Sequence, residues 1–227
     1  MADVLDRVET DAAQPAYPNC YSTCSLLAET DHRTANQLTM LSSYIRLKER
    51  ELEDELAASP ALQRLLISID AQIRAVGRVH RLLTNHGGDG RVALAPMLSE
   101  VCEPFADALQ WQTVIIQAFS PDCSAPAEHS LWVSQIVVEA ILNALKHGQP
   151  GGHPARIMAR CGQDEAGRVV VVVSDDGVGL PEGFDSQTGG GLGFRLMRAH
   201  ARALNAALTF SSSAGGLSVT LTLPAAG

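Results

Sequence analysis

Apolar residues recur along the first third of the chain at spacings built from threes and fours. Between about Ser22 and Leu56 they are Leu27, Leu38, Leu41, Ile45 and Leu52, the period of one face of an α-helix. Ala57-Ala-Ser-Pro60 interrupts the pattern, with Ser59 suited to an N-cap and Pro60 to the first turn of a second helix. There Leu62, Leu66, Ile69, Ile73, Val76, His80 and Leu83 form one stripe, which ends at Asn85-His-Gly-Gly-Asp-Gly90. Two long helices with a short connection predict an antiparallel hairpin. Such a hairpin cannot cover its own stripe, so pairing with a second copy in a dimeric four-helix bundle is expected. The alternative is that it packs on the rest of its own chain.

From about Arg91 the texture changes. Pro96 to Leu109 reads as a helix, Thr113 to Phe119 as a strand, and Ser130 to Lys146 as a strongly apolar helix. Ala155 to Cys161 and Arg168 to Ser174 read as two strands joined by Gly162 to Gly167. Leu192 to Leu204 is a helix, followed by strands Ala207 to Ser212 and Leu217 to Leu223 around Ala214-Gly-Gly216. Strands grouped in hairpins with helices between them predict an α+β sandwich, one sheet carrying helices on a single face. The domains expected are a tail (1–21), a helical hairpin (22–90) and an α/β sandwich (91–227), with Arg91 to Ala95 as a hinge.

Composition narrows the class. With 227 residues, 46% of them hydrophobic and 19% charged, the chain is long enough and apolar enough for a sizeable core. A net charge of −8 disfavours a nucleic-acid partner, which would want a basic face. No apolar run is long enough to span a bilayer and no signal segment opens the chain, so a cytoplasmic protein without membrane insertion is expected. The five cysteines show no zinc spacing and read as reduced structural residues.

The candidate chemistry lies in the second half. Val169 to Val173 reads as a buried strand that delivers Asp175 and Asp176 to its end, where Gly177 and Gly179 allow a tight turn and close approach to a ligand. D-x-G-x-G alone is a weak signal, but it has partners on both sides. Upstream, Glu139 and Asn143 lie one helical turn apart on one face, with Lys146 three residues further on. Downstream, Gly189 to Gly193 opens a helix whose free amides and positive dipole end suit phosphate. A nucleotide site needs an acceptor for the adenine amine, an oxygen ligand for Mg²⁺ and donors for phosphate. Asp175, Asn143 and the glycine run can supply these in turn. Lys146 can reach a phosphate, and Glu139 can orient a metal-bound water or act as a base. Taken singly, each has a plainer reading: a wet helix edge, a cation at a helix C-terminus, a flexible loop.

Together these motifs resemble the ATP-binding domain shared by bacterial histidine kinases and gyrase. Glu139-x-x-x-Asn143-Ala is similar to the N box, Asp175-Asp-Gly177-x-Gly179 to the first glycine box and Gly191-Leu-Gly193 to the second. The resemblance covers about Leu94 to Pro224. It implies a Bergerat-type (GHKL-type) fold, Mg-ATP as ligand, Asn143 as the Mg²⁺ ligand and Asp175 as the adenine contact. Asp176 stands where the family often has Asn, no phenylalanine-rich box is obvious, and Leu180 to Gly190 is short for an ATP lid.

In the first half, His32 precedes Leu38 by six positions, roughly 120° around the helix, which sets it beside the apolar stripe. An exposed imidazole there is a nucleophile near neutral pH. Asp31 or Glu29 can hold its tautomer, and Asn36, one turn along, can position a water or a receiver's aspartyl-phosphate. Residues 29–85, with Asp31-His32-Arg33-Thr-Ala-Asn36 and Arg78-Val-His-Arg-Leu-Leu83, resemble the dimerisation and phosphoacceptor domain of the H-R-x-x-N subfamily of histidine kinases. The resemblance implies His32 as phosphoacceptor, a homodimer, and a response-regulator receiver domain as partner. Arg33 occupies the place where many histidine kinases carry an acid, and Asp31 is the carboxylate favoured here as base. With only a short tail before the hairpin, sensing would fall to a separate sensor protein, or the chain is a fragment or relay component. Two other functions share these features: a histidine phosphotransferase with a degenerate ATPase-like domain, and an anti-sigma-type serine kinase.

Overall fold

The structure, a computed structural model, describes residues 37–38, 40–48, 50–52, 59–84, 90–108, 113–147 and 155–225. His32, Asp31 and Asn36 lie outside the described residues.

Among the described residues, the N-terminal part is helical. Helical residues at 37–38, 40–48 and 50–51 form α1, and Pro60–Thr84 forms α2. A buried polar cross-link joins them. Asp70, buried on α2, accepts a hydrogen bond from the Ser42 hydroxyl of α1. It also pairs with Arg74 at 3.0 Å and with Arg46 of α1 at 3.5 Å. Removing a carboxylate from water is costly unless its oxygens are satisfied, and here three donors meet them. Leu38 and Ile45 of α1 are half-buried, but four other apolar residues remain uncovered: Met40 is 64% exposed, Leu41 51%, Tyr44 57% and Leu47 52%.

The second helix does pack on the rest of its own chain, the alternative that the stripe pattern ranked below pairing with a second copy. Ala75 is fully buried in the core of the α/β half. The Arg78 guanidinium bridges Glu100, at 3.1 Å, and Glu103, and Arg74 donates to the carbonyl of Pro104 at 3.3 Å. Covering one face of α2 in this way leaves the exposed stripe concentrated on α1.

The α/β half begins with β1 (Arg91–Ala93), then α3 (Leu94–Ala108), β2 (Thr113–Phe119), β3 (Ser124–Pro126) and α4 (Ala127–His147). It continues with β4 (Ala155–Gln163), β5 (Val169–Asp175), α5 (Leu192–Ala203), β6 (Ala207–Ser213) and β7 (Gly216–Thr222). Five strands form one sheet in the order β2-β4-β5-β7-β6, with β2 parallel to β4 and every other pair antiparallel. On β5, Val169, Val171 and Val173 are buried while Val170 and Val172 are less so, which marks one covered face. Helices α3, α4 and α5 cover it, with Leu98, Phe105, Ile141 and Met197 fully buried against Ile157 and Leu221. The architecture is the α+β sandwich expected.

Two short strands escaped the sequence pattern. β1 pairs antiparallel with β3, Val92 opposite Ala125, and Arg91 Nη2 donates to the Ser124 carbonyl at 2.8 Å. The segment read as a hinge is therefore a paired strand running directly into α3. The same pairing brings Pro126 to the threshold of α4, which starts at Ala127 rather than Ser130.

Candidate functional site

Asp175 is the last residue of β5. One of its carboxylate oxygens is already committed, because Oδ1 accepts from the Gly177 amide at 2.8 Å and the Leu217 amide at 3.3 Å. These two donors fix the carboxylate and leave Oδ2 to accept from a ligand amine. Asp176 has a different task. It leaves the strand exposed and accepts from the Arg156 amide at 2.9 Å, tying the turn to β4.

The glycines of the turn are required first by the protein itself. Gly179 has φ +69°, and a Cβ there would lie 2.5 Å from Ser212 Oγ and the Ser213 carbonyl. Ser212 Oγ in turn accepts from the Leu180 amide at 2.6 Å. Gly216, at φ +117°, would drive a Cβ into the Asp175 carbonyl. Gly177 is buried without adopting a left-handed conformation, so its role is close packing and the amide it gives to Asp175. The β6–β7 hairpin therefore braces the Asp175 turn from behind.

Glu139, Asn143 and Gly193 form a second cluster. A Cβ at Gly193 would approach Glu139 Oε2 to 2.8 Å and the Asn143 amide to 3.4 Å and 3.5 Å. Hence α5 begins directly against the polar edge of α4, and a Cβ at Gly193 would make the Glu139 carboxylate shift. Asn143 Nδ2 is buried with no hydrogen-bond partner, a costly state for an amide that nothing else meets. Glu139 is 9% exposed, and burial pushes its carboxyl above the usual carboxylate range. Its recorded hydrogen bond comes from Gln72 Nε2 of α2 at 3.4 Å. Lys146 lies exposed in the last turn of α4.

Gly191 is the N-cap of α5 and has no side-chain cap. A Cβ there would meet nothing within 4 Å, and the first amides of α5 lack the side-chain acceptor that a capping residue would supply. The segment between the two glycine clusters is short but folded. Phe184 stacks on Phe194 at 5.4 Å, and Phe194 on Phe210 at 5.0 Å. Asp185 binds the Gln187 amide at 2.8 Å and the Thr188 hydroxyl, and Arg198 holds the Ser186 carbonyl at 3.0 Å. These partners hold the Asp185 carboxyl below its usual range. The sequence reading found no phenylalanine box, yet three phenylalanines from separate segments anchor this one. Phe184 and Phe194 flank the glycine run, which was the available signal.

The groups present suit ATP. The second oxygen of Asp175 can accept an amine, the uncapped amides of α5 and the unpartnered Asn143 Nδ2 can donate to phosphate oxygens, and Asn143 Oδ1 is an amide oxygen of the kind Mg²⁺ accepts.

Two families of known proteins match parts of the chain. Residues 128–227 match the family of histidine kinase-, DNA gyrase B- and HSP90-like ATPases. Residues 29–109 match the HisKA_2 histidine kinase family. The sensor protein NarQ homolog of Haemophilus influenzae is 31% identical over 193 residues, which are 83% of this chain and 31% of that protein. Blue-light-activated histidine kinase 2 of Erythrobacter litoralis is 26% identical over 204 residues, 87% of this chain and 56% of that protein. The chain thus spans between about a third and just over half of these relatives. A solved histidine kinase domain from the Erythrobacter litoralis EL346 blue-light-activated kinase superposes with a TM-score of 0.63 at 18% identity. That match covers 89% of this chain and 94% of the other.

Proposed function

The chain belongs to the histidine kinase family, joining a HisKA_2 region to an ATPase domain, and on that premise we propose that it uses Mg-ATP to phosphorylate His32. Asp175 Oδ2 accepts the exocyclic amine of adenine. The amides at Gly191 to Gly193 and the Lys146 ammonium hold the phosphates. Asn143 would hold Mg²⁺ through its amide oxygen, and the ion would neutralise phosphate charge. Glu139 acts as base or orients a water. The unprotonated imidazole nitrogen of His32 attacks the γ-phosphorus. An N–P bond forms as the bond to the β,γ-bridging oxygen breaks, and ADP leaves. Asp31 holds the imidazole tautomer, and its carboxylate offsets the positive charge that the ring gains as the N–P bond forms. The phosphoryl group then passes to an aspartate of a response-regulator receiver, with Asn36 positioning the aspartyl-phosphate or a water. Catalysis of this kind is mainly positioning and charge neutralisation.

The observation that carries this reading is the buried Asn143 Nδ2, a donor without a partner that a phosphate oxygen would satisfy, set against Glu139 and the glycine that opens α5. The exposed stripe on α1 supports a homodimer. No helix among the described residues is long and apolar enough to cross a membrane, which is compatible with a cytoplasmic protein served by a separate sensor.

The test is incubation with γ-labelled ATP and Mg²⁺. Acid-labile label on the wild type, absent from His32→Ala and from Asn143→Ala, is the expected result. No label, combined with uptake of phosphoryl from a phosphorylated receiver, would replace the kinase reading with that of a relay protein.

A further inference from the structure

The base assigned to Glu139 is held from outside its own domain. The carboxylate is buried on α4, and the donor that reaches it is Gln72, on the second helix of the hairpin. Sixty-seven residues separate the two in sequence, so no local turn geometry explains the contact. It follows from how α2 is seated. One turn on from Gln72, Ala75 sinks completely into the core, and Arg74 and Arg78 grip α3 at Pro104, Glu100 and Glu103. With the backbone of α2 fixed by those contacts, the amide of Gln72 is delivered to Glu139 Oε1. On the other side, Glu139 Oε2 lies close beside the start of α5, where a Cβ at Gly193 would come to 2.8 Å of it. The carboxylate is therefore bounded by an amide donor on one oxygen and by the phosphate-binding turn on the other.

We infer that Gln72 is a positioning residue for the kinase reaction, aiming the Glu139 carboxylate across the junction between hairpin and ATPase domain. The inference rests on the role proposed above for Glu139. It has a consequence for signalling: any shift of α2 along or about its axis moves the donor, and with it the base. The state of the hairpin then sets the rate of the chemical step without touching the nucleotide. A mis-aimed carboxylate slows chemistry and leaves ground-state binding intact.

The experiment is a double-mutant cycle on the full chain, reading autophosphorylation kcat, KM for ATP and Mg-ATP affinity by calorimetry. A base typically contributes about 10²–10⁴-fold, so Glu139→Gln should lower kcat by at least about 100-fold. Gln72→Leu, which removes the donor, should lower kcat about tenfold with KM and nucleotide affinity unchanged. Gln72→Lys, which restores an N–H donor of similar reach, should recover most of that loss. In the Glu139→Gln background, Gln72→Leu should have no further effect. A wild-type kcat for Gln72→Leu, or effects that multiply in the double variant, would overturn the inference while leaving the role of Glu139 standing. A fully active Glu139→Gln would remove that role, and this inference with it. Unchanged far-UV circular dichroism of Gln72→Lys serves as the folding control.

Discussion

The two halves of the chain solve burial in opposite ways. In the α/β half, large side chains such as Phe105, Leu98, Ile141 and Met197 are fully enclosed by helices and sheet of the same chain. Each such burial stabilises by about 1.5–3 kcal/mol. In the hairpin, by contrast, Met40, Leu41, Tyr44 and Leu47 are more than half exposed, and the best-buried group linking α1 to α2 is the carboxylate of Asp70. The first half of the comparison describes a core closed within one chain. The second describes an apolar face waiting for a partner and a polar lock that sets the register of two helices. On the proposed homodimer the latter is what a signalling stem would need: a core shared between copies, and an alignment specified by a charge rather than by volume.

Substituting the exposed stripe is the strongest way to break this contrast. Replacing Leu41, Tyr44 and Leu47 together by Lys should abolish the dimer, reducing the mass measured by light scattering to that of one chain. The melting temperature should then no longer depend on protein concentration. A matched change in the closed core, Phe105→Ala, should leave the dimer intact and cost about 3–5 kcal/mol in denaturant unfolding of the ATPase half. If the Lys variant stays dimeric, the stem is held by another surface and the comparison fails.

The Asp70 lock gives a smaller effect. Asp70→Ala strands Arg74, whose side chain is only 19% exposed, and removes the acceptor of Ser42. The expected cost is about 2 kcal/mol, below the value for a fully buried pair because Arg46 is half exposed and can turn to water. Asp70→Leu, which fills the space, should recover part of the stability yet loosen the register. Paired cysteines placed across α1 and α2 would report that loosening as cross-links at more than one position.

How much of this was legible in the sequence depends on whether the signal was local. The β4–β5 hairpin was, because a run of five valines and a Gly162–Gly167 turn lie side by side. The start of α5 was, because a glycine run against an amphipathic segment marks it. The Asp175 turn was legible too, but Gly179 was credited to a ligand when Ser212 and Ser213 already require it. What stayed hidden depends on partners far along the chain. Strands β1 and β3 are three residues each and make sense only as a pair. Asp70 looks like a surface acid until Ser42, 28 residues away, is beside it. Gln72 has no signature, since nothing in a helix pattern says that a glutamine will reach an acid on another domain. Phe184, Phe194 and Phe210 were overlooked because no two are neighbours in sequence, although the first two flank the glycines that were noticed.

The smallest effect expected concerns what the site costs the fold. Burial raises the carboxyl of Glu139, so its charged form is disfavoured in the folded chain relative to the unfolded one. The sign follows from linkage. Below the ordinary glutamate range both states hold the proton and the residue is neutral in each. As pH rises through that range the unfolded chain releases its proton first. Stability then declines until the raised folded value is passed, and stays lower at neutral pH. Glu139→Gln removes the titration while keeping the shape and an acceptor for Gln72. The variant should therefore melt higher than wild type at pH 7, with the difference vanishing as pH falls below the glutamate range. Scanning calorimetry at the two pH values reads this directly. An identical melting temperature at both would mean that the folded chain meets the Glu139 charge as well as water does, and the ATPase half would carry no such strained group for the hairpin to steer.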